Sequence, residues 1–198
     1  MPRVPSDINS ESGFRLPIPN RDKMNNRDKE IYDKVVGSNS RTIAGVKGPF
    51  GIHLYNPELA AIEHTYSEYL RFDTGLNGRI RELAILITAR EMNSQFEWAA
   101  HEPVALKEGL EPELIDIIKY RKRVTGLKEP AAIMIRLGHE MFSKRKVSSA
   151  TFAIALRIFG TKKLVNLVCL MSHYAAVAIE LRVFDNQISP KQPRLPIL

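Results

Sequence analysis

Residues 79–109 read RIRELAILITAREMNSQFEWAAHEPVALKEG, and the spacing of apolar residues in this stretch decides the fold. Ile80, Leu83, Ala84 and Ile87 recur at helical intervals between Arg79 and Asn93, without strand-like alternation. A second helix begins near Ser94 and ends at Gly109, a residue suited to a left-handed cap. The stretch therefore predicts a helical hairpin that turns near Asn93.

The same pattern extends outward. Asn56-Pro57 supplies an N-cap and a first-turn proline, and Leu59, Ile62, Tyr66, Tyr69 and Leu70 mark that helix's apolar face to about Thr74. Glu111-Pro112 opens a helix carrying Leu114, Ile115 and Ile118, and Glu129-Pro130 opens another that reaches about Ser143. Ser148 to Phe159 reads as a further helix stopped by Gly160. The last, capped by Thr161, reaches about Asp185 and is apolar on most of its circumference, which predicts burial against several neighbours or in a subunit interface. A short helical pattern covers Asn26 to Gly37, whereas Gly45 to Gly51 (GVKGPFG) reads as irregular. The expected fold class is all-α, a multi-helix bundle.

Prolines cluster at the two ends, which therefore read as extended arms rather than core. The predicted organisation is an N-terminal arm with one short helix over 1–47, a helical domain over 48–185 and a Pro-rich tail over 186–198. A length of 198 residues, with 44% apolar and 26% charged, suits one globular domain. No run of 18 apolar residues and no apolar leader occur, so no membrane span is expected and the cytoplasm is the default location. The single cysteine, Cys169, excludes an internal disulfide, a CxxC redox pair and a cysteine zinc site. It reads as a small buried hydrophobe.

The net charge of +7 divides unevenly: residues 1–50 carry +3, 51–116 carry −7 and 117–198 carry +11. No nucleic-acid motif accompanies the basic part, so complementary surfaces within the fold or between identical subunits are expected, and no nucleic-acid partner. Arg121-Lys122-Arg123 and Lys144-Arg145-Lys146 follow helix ends and read as solvated faces.

Chemistry concentrates in the hairpin. Glu82 sits within an apolar run, and Ser94, Glu97 and His101 follow at i, i+3 and i+7 on one face of the next helix. Folding that face back brings Glu82 toward Glu97 or His101, and carboxylates beside an imidazole form a tunable proton donor and acceptor. The plainer alternatives are an i,i+4 pair of Glu97 and His101 on a solvated face and a salt bridge from Glu82 to Arg79 or a lysine. His53, in the loop before the Pro57 helix, and His173, beside Tyr174, are candidates to line the same pocket. Trp98 is a large apolar anchor for a pocket wall or an interface. His64 with Glu68 and His139 with Glu140 read as solvated surface positions. The doubled Glu-x-x-His pattern of di-iron bundles is missing, so no metal is expected.

The stretches Arg79 to Leu86, Phe96 to His101 and Ala105 to Gly109 resemble the carboxymuconolactone decarboxylase and alkylhydroperoxidase D superfamily, and Gly48-Pro49-Phe50 with Asn56 to Ala60 resembles a longer branch of it. The resemblance implies an orthogonal bundle of the alkylhydroperoxidase D-like type over 48–185, self-association to a trimer or hexamer, and a proton-relay site in the hairpin. In the peroxidase branch the Glu falls on Glu82, the two thiols on Ser94 and Glu97, and the His on His101. Both thiols are absent, so thiol-dependent peroxidase chemistry is unavailable. The decarboxylase branch carries a Glu at the position of Glu97 and keeps the His. It implies a cofactor-independent decarboxylase or proton-transfer lyase acting on a small anionic lactone or unsaturated carboxylic acid. His101 is then the proton donor, tuned by Glu82 and Glu97. Arg79 or Arg81 holds a substrate carboxylate, with Ser94, His53, His173 and Trp98 contributing to the substrate site. The alternatives are a non-catalytic oligomeric binding or scaffold protein, and a peroxidase-like antioxidant protein without a CxxC pair.

Overall fold

Asparagine and serine caps set where five of the helices begin. Asn25, Asn56, Asn77, Ser94 and Ser148 each accept a hydrogen bond from the backbone N–H three residues on, satisfying a donor that the helix leaves unpaired. The computed structural model describes residues 4–197 and, among them, eight α-helices and no strand. These are α1 (Asn26–Val36), α2 (Pro49–His53), α3 (Pro57–Glu68), α4 (Gly78–Glu91), α5 (Gln95–Lys107), α6 (Pro112–Lys119), α7 (Ala131–Phe142) and α8 (Ser149–Val183). A π-helical turn, Tyr69–Asp73, continues α3. The first three residues of the expected arm and the last of the tail lie outside the described residues.

Helix α4 is the centre of the bundle: every residue from Arg81 to Arg90 is buried, packed by α5, α7 and α8. Continuous burial explains the unbroken apolar run from Leu83 to Ile87. Helix α8 is two rods rather than one, because Gly160 interrupts it at φ 69° and ψ 168°, a backbone conformation open to glycine alone. The stop expected at that glycine is present. By length and mean hydropathy (1.7 over its most apolar 18 residues) α8 is long and apolar enough to cross a membrane, and half of that window is buried inside the fold.

Three expectations need correction. First, GVKGPFG is not irregular: Gly45–Lys47 forms a 3-10 turn and Pro49 opens α2. A Cβ on Gly51 would lie 1.8 Å from the Val46 carbonyl oxygen, so glycine is what lets the short helix close onto the turn. His53 therefore ends a helix instead of standing in a loop.

Second, α3 is buried on the face opposite to the one its apolar residues suggest. Leu59, Ile62, Tyr66 and Tyr69 are exposed and only Leu70 of the expected apolar face is buried, whereas Ala60, His64, Ser67, Arg71 and Thr74 form the inward stripe. His64 is thus an interior residue rather than a solvated one. Glu140 is interior too, accepting hydrogen bonds from the Ser148 N–H at 2.7 Å and the Thr151 hydroxyl at 2.9 Å, where it caps α8. His139 is exposed as expected.

Third, the two ends are extended but packed. Phe14 is fully buried against Ile52, Val177 and Leu181, and the Arg15 N–H donates to the Phe184 carbonyl at 3.0 Å. Leu195 enters the main core, held by backbone bonds to the Gln95 side chain at 2.9 and 3.0 Å.

Candidate functional site

The α4–α5 hairpin closes through Asn93, whose φ of 50° is tolerated by asparagine better than by most side chains. Ser94 then caps α5, its hydroxyl accepting from the Glu97 N–H at 3.4 Å. This places Glu97 and His101 on the α5 face that meets Glu82 of α4. All three side chains are buried, with Glu82 wholly so. His101 Nδ1 lies 2.7 Å from Glu82 Oε2, and its Nε2 lies 3.5 Å from Glu97 Oε2. One imidazole is held between two carboxylates.

The two carboxylates are pushed in opposite directions. Burial raises the pKa of Glu82, but hydrogen bonds and charge from His101 and Arg81 more than offset it and hold the carboxyl below its usual range. Burial dominates at Glu97 and pushes its carboxyl up, against the opposing charges of His101 and Arg71. An ionised Glu82 takes the Nδ1–H of His101, which leaves Nε2 as the exchangeable nitrogen, beside Glu97. Two carboxyls separated in this way mark out acid and base roles at one imidazole.

A cavity of about 50 Å³ opens at this nitrogen, lined by His53, Arg71, Glu97, His101, His173 and Tyr174 among others. The Tyr174 ring stands edge-on to His101 with centroids 5.1 Å apart, and burial pushes its hydroxyl above the ordinary phenol range. Burial lowers His173 to about 4, so its imidazole is neutral at physiological pH. His53 Nε2 lies 2.7 Å from Glu180 Oε2, while its Nδ1 is buried without a partner. His53 and His173 thus line the cavity with His101, as the sequence predicts.

The remaining sequence candidates lie elsewhere. Arg79 donates to Glu111 Oε2 at 2.6 Å on an exposed flank. Arg81 stands behind the site: its Nε donates to Glu82 Oε1 and one Nη to Glu108 Oε1, each at 2.9 Å. Neither arginine lines the cavity, and Arg81 instead completes the hydrogen bonding of Glu82. Ser94 acts as the cap and borders a separate depression beside Arg182. Trp98 is fully buried in the core, its indole N–H donating to Glu102.

The cavity's cation is Arg71, which sequence reasoning missed. Three guanidinium groups surround the Phe72 ring, those of Arg41, Arg71 and Arg81 at 3.8, 4.7 and 5.3 Å from its centroid. Arg41 is paired with Glu68, and Arg81 with Glu82 and Glu108. Arg71 has no carboxylate partner among the described residues; its Nη1 reaches only the Arg41 carbonyl, at 3.4 Å, and its Nε is buried without an acceptor. The signal was the stripe Ala60, His64, Ser67, Arg71, which shares a helical face opposite the apolar set.

Among the described residues, no group of three or more His, Cys, Asp or Glu side chains is arranged to hold a metal ion. No family model matches the chain, and no curated protein matches it.

Proposed function

We propose that this protein is a cofactor-independent decarboxylase or proton-transfer lyase of the carboxymuconolactone decarboxylase-like kind, acting on a small anionic lactone or unsaturated carboxylic acid. The observation that carries this reading is His101, buried between a carboxylate held ionised and a carboxyl pushed toward its neutral form, with Nε2 at a cavity wall. The resemblance of the hairpin to that superfamily supports the same chemistry, and with it the alkylhydroperoxidase D-like bundle.

Decarboxylation needs an electron sink, which a carbonyl conjugated to the departing carboxylate supplies from within the substrate. The bond to the carboxylate carbon breaks, its electron pair passes into the conjugated carbonyl as an enolate, and carbon dioxide leaves. His101 delivers the Nε2 proton to carbon while its Nδ1–H stays on Glu82, and a proton from water then returns to Nε2. Glu82 positions His101 and Arg81 positions Glu82, so both are positioning residues. Arg71 takes the anchoring role that the sequence assigned to Arg79 or Arg81: a buried guanidinium without a counter-ion is stabilised by a ligand carboxylate. The exposed stripe Leu59, Ile62, Tyr66 and Tyr69 supports self-association, because a contiguous apolar helix face is stabilised by being covered.

The test is a panel of carboxylactones, β-keto acids and unsaturated acids followed for carbon dioxide release. The reading expects turnover by the native protein on at least one member and loss of about 10²–10⁴-fold in His101→Gln. No turnover on any member would favour a binding or scaffold role.

A further inference from the structure

Four basic residues of the C-terminal part, Arg121, Lys122, Arg123 and Arg136, line a second pocket, of about 340 Å³, walled by α4, α6 with the residues after it, and α7. This volume is within the range of small-molecule sites, roughly 300–1,000 Å³. Its floor is apolar: Ile87 and Ile118 are buried, and Ile135 is half-buried. Arg90, Arg121, Lys122, Arg123 and Arg136 line it against a single carboxylate, Glu91.

That carboxylate is already engaged. Arg121 Nη1 donates to it at 2.7 Å and the Ser143 hydroxyl at 2.5 Å, with His139 Nδ1 at 3.7 Å. Lys122 reaches Asp116 at 3.4 Å, with both side chains half exposed to water. Arg90, Arg123 and Arg136 have no carboxylate partner among the described residues. Arg90 is the deep one, only 2% exposed. Its Nη1 donates to the Pro196 carbonyl at 3.0 Å, while its Nε is buried with no acceptor among the described residues. A buried cation without a counter-ion is unfavourable, and a bound anion removes that cost.

We propose that this pocket binds a small organic anion, with a phosphate or carboxylate head toward Arg90, Arg123 and Arg136 and a short apolar body on Ile87, Ile118 and Ile135. The Arg121-Lys122-Arg123 run, which reads from sequence as a solvated face, is then one wall of a receptor. No Phe, Tyr or Trp lines the pocket, so the base-stacking surface that single-stranded nucleic acid uses is missing there. The site is separate from the His101 cavity and does not depend on its chemistry.

Calorimetric titration of the full chain with hexyl phosphate, hexanoate, inorganic phosphate and hexan-1-ol tests the proposal. The expected result is saturable binding of one alkyl anion per chain, with inorganic phosphate and hexan-1-ol weaker by about tenfold or more because each lacks half of the recognition. The stronger of the two alkyl anions identifies the head group. Arg90→Met should weaken binding about 10- to 100-fold. The double variant Arg123→Gln/Arg136→Gln alters only exposed side chains and should weaken it several-fold with an unchanged circular dichroism spectrum, while His101→Gln should bind as the native protein does. The proposal is overturned if neither alkyl anion saturates, if hexan-1-ol binds equally well, or if the double variant keeps full affinity. A short oligonucleotide that displaces the alkyl anion with a steep salt dependence would also overturn it.

Discussion

His101 Nδ1 and Glu82 Oε2 lie 2.7 Å apart, joining α5 to α4 at a point with no access to bulk water. The other Glu82 oxygen is held by Arg81, so the carboxylate is satisfied on both sides and the imidazole is fixed in one tautomer. Replacing Glu82 by Gln leaves the Arg81 charge with Glu108 alone. The expected cost is about 3 kcal/mol of stability, read from urea unfolding, and catalysis should fall more steeply than substrate binding.

Arg71→Met should behave in the opposite way. The Arg71 guanidinium has no carboxylate partner among the described residues, so its loss should change stability by no more than about 1 kcal/mol in either direction. Substrate KM should rise about 10- to 100-fold with kcat changed far less, the pattern of a lost ground-state anchor. A residue with a purely structural role would give the reverse: a lower unfolding midpoint and an unchanged KM.

The pH dependence of folding should carry the signature of His173. Burial holds its imidazole at about 4 in the folded chain, below the ordinary 6.5. The unfolded chain therefore binds the extra proton first as pH falls. The stabilisation is fully present above pH 6.5 and is lost progressively down to about pH 4. The loss amounts to roughly 3 kcal/mol. Urea midpoints of the native protein and His173→Gln, compared at neutral pH and near pH 4, should converge on the acid side.

Gly160→Ala tests the break in α8. With φ at 69° and ψ at 168°, an alanine there is strained, and the expected cost is about 1–3 kcal/mol in thermal or urea unfolding. Were α8 continuous through this point, the same change would stabilise it, because alanine is the better helix former.

How much of this was readable in the sequence depended on whether one helix alone carried the information. Glu97 and His101 share a face of α5 by spacing, so two of the three site residues were fixed locally. That Glu82 joins them needed only a short turn, which Asn93 provides. The cavity's cation was misplaced for a different reason. Arg79 and Arg81 differ by about 200° around α4, and both are captured by acidic residues far along the chain, Glu111 in one case and Glu108 in the other. The phase of α3 failed because its inward face carries Ser67 and Arg71 at the cavity and only the small Ala60 against Val35, Phe50 and Leu54, while Leu59, Ile62, Tyr66 and Tyr69 stay uncovered, the reverse of what hydrophobic periodicity assumes. Phe14 and Leu195 were invisible as core residues because each packs across the fold against helices remote in sequence.

The central claim, that His101 passes a proton to a bound ligand, is tested most directly by running the reaction in D2O and analysing the product by mass spectrometry. The account predicts one deuterium at the carbon that loses carbon dioxide, with His101→Gln slowed about 10²–10⁴-fold while still folded. Deuterium incorporation by His101→Gln at the native rate would contradict it.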